Sequence, residues 1–291
     1  MDKERILVGG REGTSKTWSF LKIVSHNLKG RHVALEVDDG FEKLLNREFP
    51  EIPSQVMDYD PSTKTWAPRP SIQNKGNVLT VFHCRGFREV LAAQREIEKL
   101  VASGEMKAGD WLCIDGADLI YNNMRYELIE RGLAARRANK QSTDEDAWEA
   151  AIEQRARGAP LLEGGDWDMI HSFYERLLDY CATKVPMHFY CSTSISVLDS
   201  NSPYEQDDVK EFYASLGVSV KFEGQKRTPR LFDTLIAFKR NPQSYTANIW
   251  KDRGAGGRPM SKNPRHSAMM DYTNNDFYAD IGVKLLGWPA S

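Results

Sequence analysis

Eight consecutive residues near the start of the chain could bind phosphate. Gly10, Arg11, Glu12, Gly13, Thr14, Ser15, Lys16 and Thr17 follow a short apolar run, Ile6-Leu7-Val8, and precede an amphipathic stretch from Thr17 to Leu28. The spacing is that of a phosphate-binding loop, G-x-x-x-x-G-K-[ST], set between strand and helix as the motif requires. Backbone N–H groups of such a loop, with those of the helix N-terminus, converge on anionic oxygens. Lys16 would add a point charge at the phosphates, and the Thr17 hydroxyl is a ligand type for Mg²⁺. Ser15 stands where the motif has its second glycine. Serine lacks glycine's freedom at positive φ, so the loop is expected to hold Ser15 at negative φ. A plain strand-to-helix turn is the bland alternative. It leaves the gathering of Gly-Gly, Lys and Thr at one strand mouth unexplained.

A phosphate loop needs a carboxylate on a neighbouring strand to hold Mg²⁺ through water. Trp111-Leu112-Cys113-Ile114-Asp115 offers an apolar strand closing on an acid, with Asp118 as a spare. Asp115 could instead cap the following helix. Hydrolysis also needs a group that orients the attacking water. The segment Glu36-Val37-Asp38-Asp39-Gly40 ends a second apolar strand and should emerge at the same sheet edge. Asp38 is placed first, Glu36 next and Asp39 third, with capping of a helix at Phe41 as the competing role. Ser192-Thr193-Ser194 ends a later strand and could sense the γ-phosphate or simply cap. Lys251 and Arg253 lie two apart on a strand, which turns both to one side. At a subunit boundary they could reach a neighbour's phosphate; otherwise they are an exposed basic strand end.

The elements that must position these residues alternate between strand and helix patterns, which favours a mostly parallel α/β sheet. Strands are predicted at Arg5–Val8, His32–Val37, Asn77–His83, Trp111–Asp115 and Met187–Cys191, with helices beginning near Thr17, Phe41, Phe87 and Tyr121. The proline-bearing stretch Phe49–Gly76 reads as a long surface loop. Helices over Asn122–Ala138, Thr143–Arg157 and Asp166–Thr183 read as a helical insertion and the helix feeding the next strand. Val218–Glu223 and Leu231–Lys239 are expected to pair antiparallel, followed by a strand at Tyr245–Trp250. The polar tail from Ala255, with a short apolar end at Ile281–Trp288, is expected to wrap the surface or meet a neighbour.

Composition narrows the classes. The chain has 291 residues, 41% of them hydrophobic, enough for one large domain with an insertion. Its 39 basic and 41 acidic residues argue against a strongly basic nucleic-acid coat while leaving room for a local basic groove. No apolar run approaches the ~18 residues of a membrane span. Met1–Arg5 leads straight into a strand and does not read as a signal peptide. Cys84, Cys113, Cys181 and Cys191 lack metal-site spacing and read as buried free thiols of a reducing cytoplasm.

Together, GREGTSKT, the acidic end of ALEVDD, WLCID, VKFEGQKRTPRLFDTLIAF and the closing WKDRG resemble RecA-type ATPases. The resemblance is greatest to compact phage-encoded forms whose RecA core ends on a Lys-x-Arg finger. It spans residues 3–120 and 184–254. It implies a RecA-like P-loop NTPase with a mostly parallel sheet flanked by helices; the chain departs from a minimal RecA core in its longer helical insertion over about 121–165, and a β-rich C-terminal part is expected to close the core at 254, with a tail over 255–291. It implies ATP and Mg²⁺ as ligands. Lys16 and Thr17 would carry phosphate and metal, Asp115 the second metal side, an acid near Asp38 the attacking water, and Lys251 with Arg253 a contact across a homo-oligomer interface.

The implied role is ATP hydrolysis on DNA, in recombination or single-strand annealing, in the host cytoplasm. Arg131, Arg136, Arg137 and Lys140, or Lys221, Lys226, Arg227 and Arg230, could line a backbone-binding groove, with solvated helix or turn faces as the alternative. A DNA-packaging ATPase subunit, a small-molecule kinase with the insertion as lid, and a nucleotide-gated structural protein without turnover are the other readings. The residues after Arg253 are too few for the nuclease domain of a full packaging enzyme. The acidic run Asp144-Glu145-Asp146 speaks against a kinase lid.

Overall fold

The computed structural model describes residues 3–140, 164–199, 207–216, 218–252, 267–271 and 275–290. β1 (Arg5–Gly10) leads through the loop to α1 (Lys16–Ser25), then to β2 (His32–Glu36) and α2 (Gly40–Arg47). β3 (Ser54–Asp60), β4 (Thr65–Pro68), β5 (Leu79–His83), α3 (Phe87–Ala102), β6 (Trp111–Asp115) and α4 (Ala117–Lys140) follow. α5 (Gly164–Asp179) feeds β7 (His188–Thr193) and β8 (Ile195–Val197), then α6 (Asp207–Ser215) and β9 (Val220–Phe222). β10 (Thr234–Arg240), β11 (Ser244–Asp252) and β12 (Ser267–Asp271) complete the strands, and a last helical segment covers Tyr278–Leu286.

One ten-stranded sheet organises the chain, in the order β12-β11-β10-β1-β7-β6-β2-β5-β3-β4. From β10 to β3 every neighbouring pair is parallel; β4 at one end, and β11 and β12 at the other, run antiparallel. The sheet is apolar on both faces because helices cover both. Along β1, Ile6 and Val8 enter the layer beneath Phe20, Leu21, Ile23 and Val24 of α1. Leu7 enters the opposite layer, with Val90, Ala93 and Ile97 of α3 and Ile120 and Met124 of α4. The fold is thus mixed α/β with a mostly parallel sheet flanked by helices, as expected from the alternating pattern.

Three expectations are corrected. The stretch 49–76 is not a loop: it contributes β3, inside the sheet, and β4, at its edge. Its prolines avoid the interior of the ladder. Pro53 precedes β3, Pro61 lies in the turn after it, and Pro68 ends β4, an edge strand that tolerates a missing donor. Second, the 218–239 segment does not form a hairpin. β9 pairs with β8 in a separate two-stranded sheet, while β10 pairs parallel with β1, with Leu235–Phe238 buried in the main sheet. The antiparallel partner of β10 is β11. Third, the apolar end packs into the core instead of wrapping the surface. Phe277, Ile281 and Trp288 are buried with Ile6, Val8 and Trp111, and the rings of Trp111 and Trp288 lie 5.4 Å apart. Burying one such side chain stabilises by about 1.5–3 kcal/mol. β12, from the same tail, extends the sheet beyond β11.

α4 begins at Ala117, ahead of the predicted start near Tyr121, and its first turns are core: Ala117, Ile120 and Met124 are buried. The predicted helix Thr143–Arg157 lies outside the described residues. The four cysteines are free and buried. Among the described residues no helix is long and apolar enough to cross a membrane.

Candidate nucleotide site

The loop leaves β1 at Gly10 and joins α1 at Lys16, so the helix N-terminus faces the C-terminal edge of the sheet. Thr14 Oγ1 donates to the Arg11 carbonyl at 2.7 Å and closes the loop on itself. Tyr190 Oη donates to the Lys16 carbonyl at 2.7 Å, tying the start of α1 to β7. Gly13 has φ +70°, the left-handed region that favours glycine. A Cβ placed there would stand 3.3 Å from Nη1 of Arg240, so the Arg240 guanidinium, from the end of β10, lies against the loop. Sequence reasoning missed Arg240, because only the parallel pairing of β10 with β1 brings it there.

Ser15 has φ +63° and ψ +28°, against the expectation of negative φ. The turn into α1 holds Ser15 in the left-handed region. Serine is held in it by its carbonyl, which accepts from Ser19 N at 2.9 Å and Ser19 Oγ at 2.8 Å. For a non-glycine residue this conformation costs about 1–2 kcal/mol.

A cavity of about 580 Å³ opens over the loop, lined by Glu12–Trp18, Asp38, Asp115, Asp118, Ser192 and Ser194, among others. Lys16 Nζ donates to the carbonyls of Gly10 at 2.9 Å and Arg11 at 3.3 Å. Burial lowers its pKa, opposed by Asp115, Asp118, Asp38 and Glu12. Thr17 Oγ1 donates to Asp115 Oδ2 at 2.6 Å, and Ser192 Oγ donates to the other oxygen, Oδ1. Burial raises the Asp115 carboxyl above its ordinary value, and these two hydroxyl donors pull it back. The strand tips of β6 and β7 therefore meet the helix start at one carboxylate.

β2 brings the acidic segment to the same edge, with Glu36 in register with Asp115. Glu36 is fully buried; Oε1 accepts from the Phe41 N–H at 2.7 Å, and Oε2 has no partner among the described residues. Burial raises its pKa to about 8 against the Phe41 hydrogen bond, with Asp115, Asp38 and Asp39 adding to the rise. Asp38 lines the cavity. A Cβ on Gly40 would lie 3.4 Å from Asp38 Oδ1, 3.7 Å from Glu36 Oε1 and 3.8 Å from Thr17 Oγ1, so these three side chains face one point. Asp39 turns away, with φ +57°, onto Arg69.

Lys251 does not point outward as expected. It falls in the buried phase of β11, with Tyr245, Ala247 and Ile249, and its ammonium donates to the Phe232 carbonyl. Strand alternation places it on the core side, so it is not presented to a neighbour. Arg253 lies outside the described residues. Of the residues considered for DNA, Lys226 and Arg227 are exposed on a second cavity of about 720 Å³, faced by Asp168, Glu175 and Asp179 of α5. Arg230 is paired with Asp208 at 2.9 Å. The side chains of Arg131, Arg136, Arg137 and Lys140 are outside the described set.

No protein-family model and no curated protein sequence matches the chain. Among solved structures it is similar to a DnaB-like replicative helicase, at 11% identity and TM-score 0.47 over 92% of this chain and 56% of that one. It is similar to the RadB recombinase, at 12% identity and TM-score 0.44 over 91% of this chain and 86% of that one. An ATPase from a type III secretion system of pathogenic bacteria aligns at 14% identity and TM-score 0.34 over 81% of this chain and 51% of that one. The chain thus spans about half the length of the helicase and of the secretion ATPase.

Proposed function

We propose that the chain is a RecA-like ATPase that hydrolyses ATP at the Gly10–Thr17 loop and couples turnover to DNA, with single-stranded DNA favoured, as a homo-oligomer. The observation that carries the ATPase reading is the Thr17–Asp115 hydrogen bond. It places the hydroxyl that ends a phosphate loop against a strand-tip carboxylate, a pairing a plain turn has no reason to build.

The residues present fit Mg²⁺. Glu36, Asp38 and Asp115 gather near the Thr17 hydroxyl, an oxygen-rich donor set of the kind Mg²⁺ takes. These carboxylates do not close into a set of three that could hold a metal by themselves, and no other such set occurs among the described residues. Thr17, and Asp115 through water, would therefore hold the ion together with the substrate phosphates. The chemistry such an ion would supply is neutralisation of charge on the substrate phosphates.

Lys16 would exchange the Gly10 and Arg11 carbonyls for phosphate oxygens. The backbone N–H groups of the loop and of the α1 start would fix the phosphate chain, and Arg240 would add positive charge at the loop's outer side. We place Glu36 ahead of Asp38 as the proton acceptor, although Asp38 lines the cavity and Glu36 does not; with its pKa raised to about 8, Glu36 accepts in its ionised form, whose share grows as pH rises. Its Oε2 is buried without a protein partner, and a buried polar atom left open at a sheet edge calls for an explanation such as a water. Glu36 takes the proton of the attacking water as that water's oxygen bonds to the γ-phosphorus, and ADP leaves with the bridging oxygen. Asp38, on the cavity wall, orders that water. Arg253 of a neighbouring subunit would supply the outside cation.

The DNA part rests on the RecA resemblance, which also supports recombination or single-strand annealing of the phage type. The test is steady-state phosphate release from Mg·ATP with no DNA, with single-stranded DNA and with duplex DNA. Stimulation by single strands is expected. Stimulation by duplex alone would turn the reading toward packaging, and no response to either would remove DNA from it.

A further inference from the structure

We propose that Arg69 is a positioning residue for the reaction: it fixes the first turn of α2 and, through that turn, the Phe41 N–H that orients Glu36. This rests on the ATPase reading above. Arg69 follows β4 and comes from the stretch that reads in sequence as a loop. Its Nε and Nη2 donate to the two oxygens of Asp58 on β3 at 2.7 and 2.8 Å. Its Nη1 donates to Asp39 Oδ1 at 2.6 Å and Glu42 Oε2 at 2.8 Å. The Arg69 side chain is 12% exposed. Its backbone N–H is tied to the Val56 carbonyl at 2.7 Å, so the fork stands on the sheet.

The two carboxylates under Nη1 flank Phe41 in the chain: Asp39 precedes α2, and Glu42 lies in its first turn. Between them, Phe41 N–H holds Glu36 Oε1 at 2.7 Å. Asp39 is in the left-handed region at φ +57°, a shape a non-glycine residue keeps when its surroundings hold it. A planar fork reaching three carboxylates supplies that hold, and a single ammonium could not match its geometry. Among the described residues, the side-chain hydrogen bonds of Arg69 go neither to the loop nor to a residue lining the cavity. Its effect on turnover is assigned to Glu36 and not to Asp38, the neighbour of Asp39, and a Glu36→Gln background separates the two routes.

The test is a double-mutant cycle on single-turnover phosphate release, in the presence of single-stranded DNA, on the full chain. Arg69→Met should lower the rate by about 10–100-fold, the scale of a small misplacement, with ATP affinity changed by less than about twofold. Arg69→Lys should recover part of the loss. In a Glu36→Gln background, Arg69→Met should change the residual rate by less than about twofold, because the group it positions is gone. An equal fold loss in both backgrounds, or a parallel loss of ATP affinity, would overturn the proposal and leave Arg69 as a tie between β3 and α2. Should Arg69→Met not fold, Asp58→Asn loosens the fork from β3 and enters the same cycle, where additivity has the same meaning. Hydrolysis that survives in Lys16→Ala would overturn the ATPase reading and this proposal together. Lys16-dependent hydrolysis with additive effects would overturn this proposal alone.

Discussion

The hydroxyl of Thr17 donates to Oδ2 of Asp115 across 2.6 Å, joining the start of α1 to the tip of β6 over 98 residues of chain. Burial raises the pKa of this carboxyl, and two hydroxyls stabilise its charged form. Asp115→Asn keeps the shape and removes the charge. Equilibrium titration with ATP, with Mg²⁺ and with chelator, should show a metal-dependent gain in affinity for the wild type that Asp115→Asn largely loses. A lost charge-assisted contact is worth about 1.5–3 kcal/mol, roughly 10–100-fold. Thr17→Ser should keep the gain, and Thr17→Ala should not.

Glu36 makes a prediction about stability against pH. Burial raises its folded pKa to about 8 from the ordinary 4.5, so the folded state holds this proton more tightly than the unfolded chain does. Stability from this group is full below about pH 4.5 and falls as pH rises toward 8. Glu36→Gln removes the titration. Chemical denaturation at pH 5 and at pH 9 should show the variant gaining on the wild type at the higher pH, by up to a few kcal/mol. A pH-independent difference between the two proteins would contradict the buried-carboxyl description.

Ser15 tests the loop backbone. Its φ of +63° suits glycine and is hostile to a β-branched side chain. Ser15→Gly should bind ATP at least as well as the wild type, with a stability change within about 1 kcal/mol, since relieved strain is offset by a freer unfolded chain. Ser15→Val should weaken ATP binding sharply. A Ser15→Val protein with ordinary affinity would show that the loop takes another shape when loaded.

Much of the placement of the candidate residues was legible because local order carries it. The strand–loop–helix at 5–25, the acid closing Trp111–Asp115 and the acidic end of β2 each announce themselves within a few residues. What escaped is what depends on distant pairing. Arg240 reaches the loop because β10 pairs with β1, and Arg69 reaches α2 because prolines at strand boundaries let 54–68 form a hairpin. Lys251 shows the limit of spacing: alternation puts residues on one face without saying which face is buried. The acidic end of β2 ranks Asp38 first in sequence; the burial of Glu36 and its unpartnered oxygen, which speak for Glu36, are visible only in the structure.

Arg253 carries the prediction about assembly. A cation supplied by a neighbour ties turnover to the oligomer, and such a finger is worth roughly 10³–10⁵ in rate. Arg253→Ala should lose turnover far more than ATP affinity. Mixed with Lys16→Ala protein, it should regain activity, since some interfaces then pair an intact loop with an intact arginine. A mixture that co-assembles and stays as inactive as its parts would remove Arg253 from the mechanism.

Lys16 tests the central claim most directly. Among the described residues its ammonium hydrogen-bonds the Gly10 and Arg11 carbonyls alone, so Lys16→Ala should fold with a melting temperature within roughly 2–4 °C of the wild type, a change of about 1 kcal/mol. The measurement is phosphate release from Mg·ATP by the two proteins side by side, with single-stranded DNA present. The account predicts turnover by the wild type and background release by folded Lys16→Ala. Near-equal release by both would contradict it, because the chemistry would then not depend on the loop.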